Sequence, residues 1–142
     1  MPASDLLVVL VSYCRSALPE GTQILQPGDA LQSPPTSAWA EFWIDRVTSP
    51  VSRRSSPRET EFSLTINCFA RPPLSVTAAT QLAAALSDCL RHSIVPLDPQ
   101  APARGSLRLR EPELRDISRP ITAKAAGLWH WIITISGTAP AE

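Results

Sequence analysis

The fold is decided by one stretch, Glu59–His92, which reads ETEFSLTINCFARPPLSVTAATQLAAALSDCLRH. Its first part alternates apolar and polar residues, and this period of two predicts a strand with one buried face and one solvent-exposed face. The apolar set is Phe62, Leu64, Ile66, Cys68 and Ala70. From about Ser75 the apolar period becomes that of a helix. Its apolar stripe consists of Ala79, Leu82, Ala83, Leu86 and Leu90. The stretch therefore predicts a strand near 59–71 and a helix that folds back onto its apolar face.

A second strand is predicted near 38–48, just before this stretch. Ala40, Phe42 and Ile44 face one way, whereas Trp39 and Trp43 lie on the face that also carries the acidic residues. Such a face is too apolar for open water and too charged for a sealed core, so it suits a surface that another subunit covers. Packing of the tryptophans under a loop of their own chain is the open alternative.

The two strands predict a long β-hairpin, because they are separated by a proline- and serine-rich connection. No acidic residue lies between Asp45 and Glu59, so the tip of the hairpin is basic. Its arginines are Arg46, Arg53, Arg54 and Arg58.

The remaining elements are shorter. A helix from about Ala3 to Leu18 and a short strand, 22–25, precede the hairpin. Residues 94–104 contain three prolines and show no period. Residues 105–117 alternate like a strand, in which Pro112 fits only an edge strand or an interruption. The last strand, 128–138, is the most hydrophobic and is expected at the centre of the sheet. The chain, 1–142, is predicted to be a single α+β domain: a mostly antiparallel sheet of about four to five strands with two helices packed on one face.

The composition restricts the classes of partner. Basic and acidic residues balance at 13 each, so no bulk field attracts nucleic acid or an anionic membrane. The three cysteines lack CxxC spacing, which argues against a disulfide framework and a zinc site and favours free buried thiols in a reducing compartment. No apolar run approaches the roughly 20 residues that span a bilayer, and no signal peptide is evident, so a soluble cytosolic protein is expected.

The chain contains no motif that carries catalysis. A glycine-rich phosphate loop, a GxSxG turn and paired metal-ligand spacing are all absent. Neither His92 nor His130 is linked by sequence to a nucleophile or a carboxylate. We therefore expect that the protein is not an enzyme and binds no cofactor or metal. Arg53 and Arg54 suit phosphate binding, but the loop has no aromatic residue for base stacking.

The order of elements resembles the tail terminator (tail completion) proteins of long-tailed bacteriophages. An initial helix is followed by a proline-rich loop and an aromatic hairpin with an arginine-rich tip. A strand–helix unit (62–91), a proline-broken loop, an edge strand and a final Trp/Ile strand complete the order, and the chain then closes with Ser136-Gly137-Thr138-Ala139. The resemblance spans nearly the whole chain. It lies in the chain length, the order of the elements and the residue types of each segment.

The resemblance implies a structural virion protein that needs no cofactor. Such proteins form a ring, typically a hexamer, at the head-proximal end of the tail, where they stop tube and sheath polymerisation and present the surface to which the neck and head attach. The implied partners are further copies of the chain, the tail tube protein, possibly the sheath, and a neck or connector protein; DNA only passes through the lumen. Assembly would take place in the bacterial host cytoplasm, and no membrane is involved.

On this resemblance the hairpin supplies the subunit or tube interface. The candidate residues are Trp39, Trp43, Arg46, Arg53, Arg54, Arg58, Glu59 and Glu61. A head–tail connector, neck or minor tail protein is the alternative within phage assembly. A nucleic-acid-binding module and an enzyme assembled only by the fold are the alternatives outside it.

Overall fold

The structure, a computed structural model, describes residues 3–19, 22–29, 38–48, 59–71, 76–118 and 128–140. Within these ranges it contains two α-helices, seven strands and a short 3-10 helix, Pro102–Arg104. The α-helices are α1 (Ala3–Arg15) and α2 (Val76–Leu90). The strands are β1 (Gln23–Leu25), β2 (Trp39–Thr48), β3 (Glu59–Ala70), β4 (Ile94–Pro96), β5 (Ser106–Leu109), β6 (Glu113–Asp116) and β7 (Trp129–Pro140).

The strands form one sheet in the order β1-β2-β3-β7-β5-β4, with β6 pairing with β7 beside β5. Every pair is antiparallel except β1–β2, which is parallel. The α+β class is therefore confirmed, and the last strand occupies the central position that its hydrophobicity predicted. The sheet is also mixed and larger than the four to five strands expected.

Two segments account for the additional strands. Pro112 has no amide hydrogen, so the strand expected over 105–117 is divided into β5 and β6, both paired with β7. The second is β4, which lies in the proline-containing segment expected to be irregular. It has three residues, too few to show a period, and its buried side chain is Val95. Its pairing with β5 becomes visible only in three dimensions.

The core lies between the sheet and the two helices. The apolar stripe predicted for α2 is buried as expected, and α1 buries Leu6, Leu7, Leu10, Val11 and Cys14. α1 ends at Arg15, short of the predicted Leu18, because a turn begins where the Ala17 amide donates to the Cys14 carbonyl. Burying each leucine stabilises the fold by about 1.5–3 kcal/mol before entropic costs. Neither described helix is long and apolar enough to cross a bilayer.

Candidate interaction surface on the open face of the sheet

The side of the sheet opposite the two helices (the open face) is formed by the side chains that alternate with the core residues. Cross-strand partners share a face, so the register places Trp43, Thr65, Thr134 and Glu113 in one row across β2, β3, β7 and β6. Thr134 and Glu113 are exposed, and the side chain of Trp43 is 43% exposed. The β2 end of this row therefore presents an indole ring to solvent beside polar side chains.

A β-bulge in β2 brings Arg46 to this face. Strict alternation would place Arg46 with Phe42 and Ile44, on the side of the helices. The register instead shifts between Ile44 and Arg46, and Arg46 is paired with Ser63. The extra residue is Asp45, whose carboxylate accepts a hydrogen bond from the Thr65 hydroxyl. One added residue therefore reverses the side on which every later residue of β2 lies.

Arg46 forms one end of a polar row that crosses the whole centre of the sheet. Ser63 pairs with Ser136, and the amide of Arg110 donates to the Ser136 carbonyl, so Arg46 and Arg110 close the two ends of the row. These four residues line a cleft of about 70 Å³, and Glu61 lines it as well. We call this feature the arginine cleft.

Three arginines lie at or beside the arginine cleft. Arg46, Arg108 and Arg110 are exposed, and none of them forms an ion pair with another residue in the described ranges. A guanidinium presents a planar fork of N–H donors that matches a carboxylate or a phosphate. Glu59 and Glu61 lie on the same face of β3, so the surface carries charges of both signs.

The other end of the open face is closed by aromatic rings. Trp39 stacks on Phe69, with ring centroids 5.3 Å apart, and the Arg71 guanidinium carbon lies 5.9 Å from the centroid of the Trp39 ring. Nε2 of His130 lies 2.8 Å from Oδ1 of Asn67. Trp39 is only 3% exposed. Of the two interpretations open for the tryptophans, packing within its own chain describes Trp39 in this structure.

The structure brings together four of the predicted interface residues: Trp43, Arg46, Glu59 and Glu61 are all exposed and belong to β2 and β3. The predicted residues Arg53, Arg54 and Arg58 lie outside the described residues. Sequence reasoning missed Arg108 and Arg110, which reach the open face through the pairing of β5 with β7. Their alternation with Leu107 and Leu109 indicated that both arginines lie on an exposed face. It did not indicate which strand would pair with their segment.

Two further polar groups lie outside the arginine cleft. The Glu111 carboxylate accepts a hydrogen bond from Arg91 at 2.5 Å and contacts Nε2 of His92 at 2.8 Å, and all three side chains are exposed. Such surface pairs contribute little to stability.

Hydrogen bonds from Ser118 hold the pKa of Asp116 below its usual range. In the described part of the chain, no group of three or more His, Cys, Asp and Glu residues is arranged to hold a metal ion.

Neither a family model nor a curated protein matches this chain. Twenty-one chains of known structure match it. One of them superposes with a TM-score of 0.61 at 12% sequence identity. The match covers 100% of this chain and 99% of the other. At this identity the likeness shows a shared fold alone.

Proposed function

We propose that this chain is a structural protein of a phage tail that assembles into a closed ring at the head-proximal end of the tail tube. The ring ends polymerisation of the tube, and of a sheath where one is present. It also presents the surface to which the neck and the filled head attach. On this proposal the protein is part of the virion and is not an enzyme.

The observation that carries the proposal is the exposure of Trp43 on the open face. Tryptophan is enriched in the energetically dominant positions of protein interfaces, where it is surrounded by polar residues that exclude water. Trp43 has this setting, since threonines share its row and the arginine cleft lies beside it. When a partner subunit covers an indole in this position, its apolar surface is removed from water, and this stabilises the complex.

The charges of the open face support contact between copies of the chain. Arg46, Arg108 and Arg110 have no ion-pair partner among the described residues, and Glu59 and Glu61 are exposed on the neighbouring strand. One surface therefore offers both members of an intersubunit ion pair. A contact between two different patches of identical subunits forms a ring when its rotation closes.

The experiment is native mass spectrometry of the purified protein over a concentration series, with negative-stain imaging, alone and with tail tube protein. We expect a closed ring of about six subunits, as is typical of the resembled family, and we expect tube growth to stop when the protein is added. A strict monomer that also fails to cap tubes would contradict the proposal.

A matched pair of variants tests whether the open face makes the contact. Trp43→Ala is expected to weaken assembly by at least about 30-fold, the size of an interface hot spot of 2 kcal/mol. Ile94→Ala removes another exposed apolar side chain, 65% exposed, from the edge strand β4, and is expected to leave assembly unchanged. If both substitutions weakened assembly equally, Trp43 would not belong to the interface.

The same samples separate the other functions. A ring that binds a neck or portal protein and does not cap tubes would identify a head–tail connector or neck protein. DNA binding that weakens steeply with salt and is lost in Arg46→Ala/Arg110→Ala would favour a nucleic-acid-binding module. Arg104→Ala is the control, because Arg104 is an exposed arginine of the 3-10 helix that does not line the arginine cleft.

A further inference from the structure

The arginine cleft carries charges of both signs in its lining. Arg46 and Arg110 lie at its two ends, and the Glu61 carboxylate is a third charged group that lines it. All three side chains are exposed, and none forms an ion pair with another residue in the described ranges. Two guanidinium groups and one carboxylate therefore line the same small cleft without pairing with one another.

Hydroxyl groups line the cleft between the two arginines. Ser63 and Ser136 are cross-strand partners in the middle of the row, and Thr48 also belongs to the lining. The hydroxyl oxygens of these three residues make no hydrogen bond to another described residue. A hydroxyl can donate one hydrogen bond, and a guanidinium donates in a planar fork. The cleft therefore offers hydrogen-bond donors both from its ends and from its middle.

The backbone beneath the cleft is held by the centre of the sheet. β3 and β7 are paired along their whole length. Phe62 and Gly137, which line the cleft, are buried and so close that a Cβ on Gly137 would lie 2.6 Å from Cζ of Phe62. The carboxylate of Asp45, the residue before Arg46, already accepts a hydrogen bond from Thr65. The positions of the strands that carry the donors are thus set before any ligand binds.

The volume of the cleft and the arrangement of its donors suit a single tetrahedral oxyanion. The cleft has a volume of about 70 Å³, which is more than twice the roughly 30 Å³ that a water molecule occupies in the liquid. A planar carboxylate has two oxygens and pairs as a fork with one guanidinium. A phosphate group has enough oxygens to meet a guanidinium at each end and the hydroxyls between them. The donor set therefore matches phosphate better than a carboxylate.

Glu61 distinguishes between tetrahedral anions. An ionised carboxylate only accepts hydrogen bonds, so it repels an anion that carries no proton. A phosphate group that retains a proton has a P–OH, which can donate to this carboxylate. Sulfate has no such proton at neutral pH, and neither has a phosphodiester of a nucleic-acid backbone. The carboxylate therefore favours a protonated phosphate group over both.

We propose that the arginine cleft binds a phosphate group that carries a P–OH, as inorganic phosphate or as a phosphomonoester. Arg46 and Arg110 donate to its oxygens from the two ends of the cleft, and the serine hydroxyls donate between them. The Glu61 carboxylate accepts from the P–OH. Phosphate binding does not require ring formation, so this proposal and the proposed function can fail independently.

The test is a titration of the isotope-labelled full chain with inorganic phosphate, followed by two-dimensional NMR at mildly acidic pH and constant ionic strength. The amide signals of Ser63, Ser136 and Arg110 should shift and saturate. The dissociation constant should be on the order of 1 mM, as expected for a few charge-assisted hydrogen bonds at an exposed site. Shifts that chloride reproduces at the same ionic strength, or that leave these three signals unmoved, would overturn the proposal.

Further anions identify the ligand class. Glycerol phosphate, a monoester, retains a P–OH and should bind; if only inorganic phosphate binds, the site takes the free anion. Sulfate and dimethyl phosphate should bind at least about 10-fold more weakly, because neither can donate to Glu61. Tighter binding of dimethyl phosphate than of inorganic phosphate would overturn the proposal and favour a nucleic-acid backbone as the ligand.

Charge-conserving variants separate a specific site from a general positive field. Arg46→Lys and Arg110→Lys keep the charge and lose the planar fork, so each should weaken phosphate binding by about 10-fold. Arg104→Lys is the control, since Arg104 is exposed and does not line the cleft. Glu61→Gln should abolish the preference for phosphate over sulfate, because an amide can also donate to a deprotonated oxygen. Unchanged phosphate binding in both cleft lysine variants, or an unchanged preference in Glu61→Gln, would overturn the proposal.

Discussion

The indole ring of Trp39 stacks on the phenyl ring of Phe69, its partner across the β2–β3 ladder, with the ring planes inclined at 26°. Phe69 in turn lies 4.2 Å, centroid to centroid, from the imidazole of His130, its partner on β7. An aromatic ladder thus crosses three strands on the side of the sheet that the helices do not cover. Stacked aromatic pairs stabilise a fold beyond the area they bury, so this ladder should hold β2, β3 and β7 together.

Trp39→Ala should therefore destabilise the folded chain strongly, by about 3–5 kcal/mol, because it leaves a cavity beside Phe69. Trp43→Ala, on the same strand and face, should cost only about 1 kcal/mol in the free chain, since its side chain is already 43% exposed. Urea unfolding followed by far-ultraviolet circular dichroism measures both. Similar losses would mean that both indoles belong to the monomer's core.

Trp39→Phe is the conservative control for this pair. The indole Nε1 of Trp39 is buried and makes no hydrogen bond to a described residue. A phenyl ring keeps the stacking with Phe69 and removes that unpaired donor, so the loss of stability should be well below that of Trp39→Ala.

Periodicity predicted the elements whose faces differ sharply in polarity. The alternation in 59–71 predicted β3 to within one residue, and the helical stripe beginning at Ala79 is buried as expected. The strand β4 was missed because three residues cannot express a period. The interruption at Pro112 was one of the two outcomes expected, since proline cannot donate to a ladder. The other outcome, an edge strand, was wrong for β5, which lies between β7 and β4.

The candidate site was less predictable than the fold. Alternation of apolar and polar residues shows on which face of a strand a side chain lies, but it does not show whether that side chain is exposed. Trp39 and Trp43 share a face, yet one is buried by aromatic neighbours that come from distant positions in the chain. The position of Arg46 depends on a bulge that no pattern in the residues around Asp45 revealed. Arg110 joins the arginine cleft only through the pairing of β5 with β7. In each case the pairing of strands in the folded chain determined where the side chain lies.

Gly137 should not tolerate a side chain. A Cβ at this position would lie 2.6 Å from Cζ of Phe62 and 2.8 Å from the backbone carbonyl oxygen of Arg108. Gly137→Ala is therefore expected to destabilise the chain by about 1–3 kcal/mol through overpacking in the centre of the sheet. The neighbouring Ser136→Ala, at an exposed position, should change stability by less than about 0.5 kcal/mol. Thermal unfolding of the two variants side by side checks this, and an unaffected Gly137→Ala would contradict it.

Pro96 should protect the edge that β4 forms in the sheet of the described residues. The Leu97 amide donates to Gly105 and the Leu109 amide donates to Ser93, so odd-numbered residues of this segment bond toward β5 and Pro96 faces outward. Proline offers no amide hydrogen to another strand at this edge. Pro96→Val should therefore shorten the lag of heat-induced, thioflavin-positive aggregation, whereas Pro99→Ala, outside the strand, should not. An unchanged lag in Pro96→Val would show that the edge is protected by something else.

Cys68 should make the fold sensitive to alkaline pH. Burial raises the pKa of Cys68 from its ordinary value of 9.0 to about 12. Because the folded value lies above the unfolded one, the stabilising contribution of the neutral thiol is complete below pH 9 and is lost as the pH rises toward 12. Between pH 8 and 10.5 the natural chain should lose about 2 kcal/mol of unfolding free energy more than Cys68→Ala. Contributions from Cys14 and Cys89 are present in both proteins and cancel in the difference. Urea titrations across this range provide the measurement, and parallel pH profiles for the two proteins would mean that the Cys68 thiol ionises as readily in the folded chain as in the unfolded one.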